Sequence, residues 1–248
     1  MTYDYKQGKK RIEEILDNDL DIIKQDKVPK EGEFTFTNGY LSWITAVFVD
    51  IRDSSSLCAD EDKEKVAKII KSFTSEIIEI LRKDDNLREI GIRGDCVYAI
   101  YTTPEKKDEY EIANKTFFVN TYLKMLNMML KERDLPTIKA GIGMSTAKEL
   151  VVKAGRKNVG INSQIWIGKA VSVASNLASL GNKNGIAPCV YSESSYNYFI
   201  EEMEKINSDK KPKDWFTYHK DEDVGDYYSA NIVKTDFNDW IKTGMIDE

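Results

Sequence analysis

Two short stretches hold the residues best suited to chemistry. "VFVDIRDSSSL", residues 47–57, ends an apolar run on Asp50 and follows it with Arg52, Asp53 and three serines. "IRGDCVYAIY", residues 92–101, sets Asp95 directly after Gly94. Taken singly, an aspartate at the end of an apolar run marks where a strand meets water, and Gly-Asp is ordinary turn chemistry. Placed side by side, the two carboxylates repel unless something cationic lies between them. Hard divalent ions, which prefer oxygen ligands, are the natural candidate. The turn that follows Asp50 offers backbone amides and hydroxyls that suit phosphate oxygens, which makes Arg52, Asp53, Ser54 and Ser55 candidate substrate contacts. Metal beside a phosphate cradle means nucleotide chemistry. Phe48, two residues back on the strand face of Asp50, is a candidate to pack against a base. Lys153, Arg156 and Lys157 would ordinarily be a solvated hairpin; Lys153 and Arg156 become candidate phosphate contacts because a triphosphate needs cations.

Composition removes the main alternatives. The chain has 248 residues, 41% hydrophobic and 31% charged, enough for one large domain or two small ones with a real core. Net charge is −6 with Lys and Arg scattered, so no broad basic surface invites nucleic acid. The one histidine, His219, lies in a polar stretch, which all but excludes a histidine triad or a His-rich metal site. Cys58, Cys96 and Cys189 are far apart and suggest neither disulfides nor zinc; Cys96 beside Asp95 reads as a packing residue. No apolar run is long enough to span a bilayer, and the N-terminus does not resemble a signal peptide, so a cytoplasmic protein is the plain expectation.

The elements that must position Asp50 and Asp95 follow from periodicity. Residues 8–25 place Ile12, Ile15, Leu16, Ile22 and Ile23 at helical spacing, and a lead-in segment runs to residue 42. "SWITAVFVDI" is a strand by its β-branched and aromatic content. Helices are expected over about 60–82 and 109–133, with apolar stripes from Val66 to Leu81 and Phe117 to Leu130. Between them, "REIGIRGDCVYAIY" reads as two strands about a tight turn at Gly94. "TIKAGIGMS" and "ELVVKAG" are strand-like, "GRKNVGINSQ" a loop and "IWI" a short strand. "KAVSVASNLASLG" is a helix stopped by Gly181, followed by the strand "PCVY", a helix near 193–206 and a last strand "YYSANIV". Strand, helix, strand, strand, helix, strand is the split βαβ order of a ferredoxin-like α+β fold, with helices flanking an antiparallel-dominated sheet. In that order the first and third strands are antiparallel neighbours. Asp50 then lies next to Asp95, although 45 residues separate them. The expected division is 1–42 as lead-in and 43–248 as one catalytic domain with a C-terminal strand extension.

"FVDIRDSSSL", "RGDCVYAIY", "KAGIGMS" and "WIGKAVSVASNLASLG" resemble, in order and spacing, the class III nucleotidyl cyclases. The resemblance implies closure of a nucleoside triphosphate to a 3′,5′-cyclic monophosphate, with release of pyrophosphate, at the interface of an antiparallel homodimer. It implies two Mg²⁺ or Mn²⁺ ions per site on Asp50, Asp95 and the main-chain carbonyl of Ile51, with Asp53, Ser54 and Ser55 on the triphosphate. The lysine and aspartate with which adenylate cyclases read adenine fall on Gly91 and Ile165. Together with the N-terminal stretch and the loop after residue 149, this brings the sequence nearest to the pyrimidine cyclases of the Pycsar antiphage systems. That branch implies UTP or CTP as substrate and a separate effector, activated by the cyclic nucleotide, as downstream partner. The catalytic asparagine and arginine of the family's late helix fall on Ser172 and Asn176, two donors on one helix face without a positive charge. Lys169, Lys153 or Arg156 are candidates to compensate. A cyclase of purine nucleotides, or a degenerate cyclase domain that only binds nucleotide or dimerises, are the alternatives.

Overall fold

Asn38–Ile51 forms a 14-residue strand at the centre of the computed structural model, which describes residues 2–157 and 159–246, Asp60 by its backbone only. In chain order the strands are β1 (Asp21–Lys24), β2 (Asn38–Ile51), β3 (Leu87–Arg93), β4 (Cys96–Thr102), β5 (Ala140–Arg156), β6 (Ile161–Ile167), β7 (Cys189–Ser192), β8 (Thr217–His219) and β9 (Tyr227–Ala230). The helices are α1 (Tyr5–Asp17), α2 (Ser54–Asp60), α3 (Lys63–Arg82), α4 (Lys106–Lys131), α5 (Ala170–Leu180), α6 (Glu193–Ile206) and α7 (Thr235–Lys242). One sheet runs β3-β4-β2-β5-β7-β9-β8, with β1 added to β2 and β6 to β5. Only the β1–β2 and β5–β7 pairings are parallel among the described residues. The expected α+β order is present, and β2 pairs antiparallel with β4.

Alternation along β2 divides the core. Val47, Val49 and Ile51 face one side and pack with Phe73 and Ile77 of α3, Phe117 and Leu126 of α4 and Phe199 of α6. Ile44, Ala46 and Phe48 face the other side, where α5 and Val28 and Phe34 of the lead-in cover them. The α3 stripe is buried as its spacing predicts, and Asp62 caps the helix by accepting from the amides of Glu64 and Lys65. That cap starts the helix expected over 60–82 at Lys63, and a separate short helix, α2, fills the stretch read as a polar turn.

Two expectations are corrected. The helix expected over 8–25 ends at Asp17; Asp21–Lys24 is a strand whose Ile22 and Ile23 pair opposite Gly39 and Tyr40. Ile23 packs on the inner cluster, while Ile12, Ile15 and Leu16 of α1 stay exposed. The stretches read as two strands over 137–155 form the single 17-residue β5. The loop after it is shorter than expected because β6 begins at Ile161, and Asn158 of that loop lies outside the described residues.

Candidate active site

Asp50 stands opposite Cys96 in the β2–β4 register, and Asp95 precedes Cys96 in the turn that Gly94 closes at φ +65°. The two carboxylates therefore share one end of adjacent strands. Burial raises the Asp50 carboxyl above its ordinary range; Arg52 draws it partly back, and the charge of Asp95 raises it again. Oδ2 of Asp95 is buried without a hydrogen-bond partner. A buried carboxylate oxygen without a partner beside a second carboxylate makes an all-oxygen donor set, whose chemistry fits a hard divalent ion. Cys96 is no competitor for chemistry here, since burial and the charge of Asp50 push its thiol up to about 12.

The neighbours of Asp50 depart in part from the sequence reading. Arg52, grouped there with the phosphate-binding turn, instead pairs its guanidinium with the Asp50 carboxylate and donates from Nη1 to the Ser179 carbonyl of α5 at 2.6 Å. Phe48 shares the face of Asp50, as alternation requires, but it is a core residue: 9% exposed, stacked on Tyr98 at 5.5 Å, and packed in the same cluster as α5. Little of its ring is left for a base. Asp53 takes a left-handed conformation (φ 55°) that turns the chain from β2 into α2, which starts with Ser54 and Ser55. Ile51 is the last residue of β2, with its side chain in the α3–α4 core.

α5 lies unusually close to the sheet. Its buried face is Ala170, Ala174, Leu177 and Ala178, and beneath it β5 carries Gly141 and Gly143. A Cβ on Gly143 would stand 2.1 Å from the Ala174 carbonyl oxygen, and one on Gly141 would stand 2.0 Å from that of Ala178. Ser172 and Asn176 therefore point away from the sheet and are exposed, on one helix face as their spacing requires. Ser172 Oγ donates to the Lys169 carbonyl at 3.2 Å, and the Asn176 carbonyl accepts from Ser179 Oγ at 2.6 Å.

Lys153 and Arg156 do not meet Asp50 within one chain. Asp50 pairs with Gly141, and Lys153 lies twelve residues farther along β5, roughly 40 Å of strand at about 3.3 Å per residue. Lys153 Nζ sits 5.8 Å over the Phe36 ring, while Arg156 is exposed near the tip of the β5–β6 hairpin. Lys169 is exposed ahead of α5.

Sequence reasoning missed one polar cluster. A Cβ on Gly91 would meet Tyr98 Oη at 2.7 Å, so the Tyr98 ring fills the place of a side chain there. Glu89, two residues back on that face, accepts from Tyr98 Oη and from Trp166 Nε1, each at 2.7 Å. Beside it lies a cavity of about 460 Å³ lined by Arg88, Asn162 and Gln164 among others. Ile165 points outward, half exposed. The alternation of β3 was the signal that could have found Glu89, since Gly91 was already singled out.

A model of the adenylate and guanylate cyclase catalytic domain matches residues 39–211. A uridylate cyclase of Treponema porcinum is 48% identical over 247 residues, covering 100% of this chain and 84% of that protein. A uridylate cyclase of Gulbenkiania mobilis is 28% identical over 251 residues, covering 96% of each. Among solved structures, the adenylyl cyclase CyaB from P. aeruginosa superposes with a TM-score of 0.61 at 18% identity, over 77% of this chain and 95% of that one.

Proposed function

The chain belongs to the family of adenylate and guanylate cyclase catalytic domains, and from that premise we propose that it converts UTP to 3′,5′-cyclic UMP and pyrophosphate. The observation that carries the chemistry is the pair Asp50 and Asp95 at one strand end, with Asp95 Oδ2 unanswered. The uridylate cyclases that match the whole chain support uracil as the base. The Tyr98 ring over Gly91, where a purine-reading lysine would stand, disfavours ATP.

Asp50, Asp95 and the Ile51 carbonyl would hold two Mg²⁺ or Mn²⁺ ions. When bound, such ions lower the pKa of the ribose 3′-hydroxyl and neutralise the triphosphate and the departing pyrophosphate. Asp53, Ser54 and Ser55, in the turn into α2, bind triphosphate oxygens through amides and hydroxyls. Arg52, already tied to Asp50 and to α5, keeps the Asp50 carboxylate oriented in the resting protein. Ser172 and Asn176 face away from their own sheet, so they reach an α-phosphate only on a second copy of the chain. The active form is accordingly a homodimer with interfacial sites, in which Lys153 and Arg156 also gain access to the partner's site. The hydrogen-bond donors of Ser172 and Asn176 replace a cation, and its loss slows the chemical step by about two to three orders of magnitude unless Lys153 or Arg156 compensates.

No helix among the described residues is long and apolar enough to cross a membrane. We place the protein in the cytoplasm, where its product would act on a separate effector in antiviral defence; the likeness to the Pycsar cyclases supports this role. A second reading, a nucleotide-binding domain without turnover, is favoured by the uncharged Ser172 and Asn176 pair alone.

The test is incubation with Mn²⁺ and UTP, CTP, ATP or GTP separately, with products identified by mass. Cyclic UMP from UTP is expected, together with its loss in Asp50→Ala and Asp95→Ala. A cyclic purine as main product, or activity persisting in either variant, would overturn the proposal; UTP binding with no product would establish the second reading.

A further inference from the structure

α5 has no cap of its own. Lys169 at its N-cap position makes no side-chain hydrogen bond to the helix. The bond comes instead from β5, where Glu149, fully buried, accepts the Ala170 amide on Oε1 at 2.5 Å and reaches the Val171 amide. Its other oxygen, Oε2, is buried without a partner. Gly168 makes the contact possible, because a Cβ there would stand 2.7 Å from Glu149 Cγ and 2.9 Å from Oε1. A buried carboxylate is costly, and the positive end of the helix it faces compensates. The far end of α5 is tied by Arg52 through the Ser179 carbonyl.

We propose that Glu149 is a positioning residue: it caps α5 from the neighbouring strand and so sets where Ser172 and Asn176 stand. Its catalytic consequence rests on the cyclase reading above; its structural content does not. With Glu149 on β5, the helix is indexed to the same strand whose Gly141 pairs with Asp50. The distance between the metal end of one copy and the α5 face that serves its partner is then a property of one strand. A cap supplied from within α5 would fix the helix N-terminus but not its place on the sheet.

The test uses Glu149→Ala, Glu149→Gln, which keeps an accepting oxygen, and Gly168→Ala, which pushes the carboxylate away. Losing a cap typically costs about 1 kcal/mol, so amide exchange at Ala170 and Val171 should quicken by about fivefold to tenfold in Glu149→Ala and Gly168→Ala, and stay near wild type in Glu149→Gln. In UTP turnover well below the melting temperature, the same two variants should lower kcat by about tenfold while KM stays within about twofold, as for a loss felt only in the transition state. Glu149→Ala should add little in an Asn176→Ala background, because both act through one helix. Unchanged exchange in Glu149→Ala and Gly168→Ala overturns the cap; a kcat loss fully additive with Asn176→Ala overturns the positioning role. Full activity in Ser172→Ala and Asn176→Ala would instead remove the catalytic role of α5, leaving the exchange result to decide the cap.

Discussion

Replacing Glu109 by Gln should make the protein more stable at pH 8 than the native chain. Glu109 on α4 is almost fully buried, on the sheet face away from Asp50. Its carboxyl contacts Thr103 Oγ1 at 3.2 Å and Thr146 Oγ1 at 2.7 Å, and these hydroxyls continue to Thr45 at 2.7 and 2.9 Å and to Ser195 at 2.8 Å. Every hydrogen-bond partner is a neutral hydroxyl, so nothing nearby balances a negative charge; burial pushes the carboxyl up to about 8, and the charge of Asp108 adds to the rise. The folded state therefore keeps Glu109 protonated where the unfolded chain would ionise it at about 4.5. A raised acid pKa gives stability that is whole below about pH 4.5 and is lost as pH rises to about 8. Between those values the loss is at most about 5 kcal/mol, at about 1.36 kcal/mol per pH unit. Gln keeps the shape and the hydrogen-bonding capacity without the titration. Urea unfolding of both proteins from pH 5 to 9, followed by circular dichroism, gives a difference profile in which other titrating groups cancel. Gln should gain progressively over the native chain, by several kcal/mol in all by pH 8, with a plateau above that. Parallel profiles would refute the claim that this carboxyl is neutral in the fold.

Gly143→Ala should destabilise the fold by about 1–3 kcal/mol, the usual cost of overpacking, because the new methyl meets the α5 backbone; an unchanged thermal midpoint would mean that α5 sits farther from β5. Deleting residues 2–17 should shift the midpoint by no more than about 2 °C, as for a surface change, since the apolar side chains of α1 are exposed and, among the described residues, the ion pair that ties it to the rest is the 4.0 Å contact of Glu14 with Lys157. A fall well beyond that would show that the α1 stripe is covered in solution. Tyr98→Phe and Trp166→Phe should each cost about 1 kcal/mol through the bond lost to Glu89, and a double-mutant cycle should show coupling, because both donors orient one carboxylate. Strict additivity would mean that Glu89 is held by something else.

The half of the site built on Asp50 and Asp95 is legible because a topology rule carries it: once the order strand, helix, strand, strand is read, two distant aspartates must meet. The N-terminal strand was hidden because four residues, "DIIK", fit either period, and only pairing with β2 decides between them. The place of Lys153 was hidden by the length of β5, and that length by its polar middle. "STAKEL", residues 145–150, looks like a break between two strands because it sets Thr146, Lys148 and Glu149 where an apolar alternation should run. The strand continues through it, since Thr146 and Glu149 each find a partner on a different layer. Thr146 donates to Glu109 beneath α4, and Glu149 accepts from the first turn of α5. An apolar pair at these positions would have read plainly as strand, but it would have left α5 without its cap and Glu109 without its nearest donor. Where a strand must anchor a helix on each of its faces by hydrogen bonds, the residues that do so erase the pattern by which the strand is recognised.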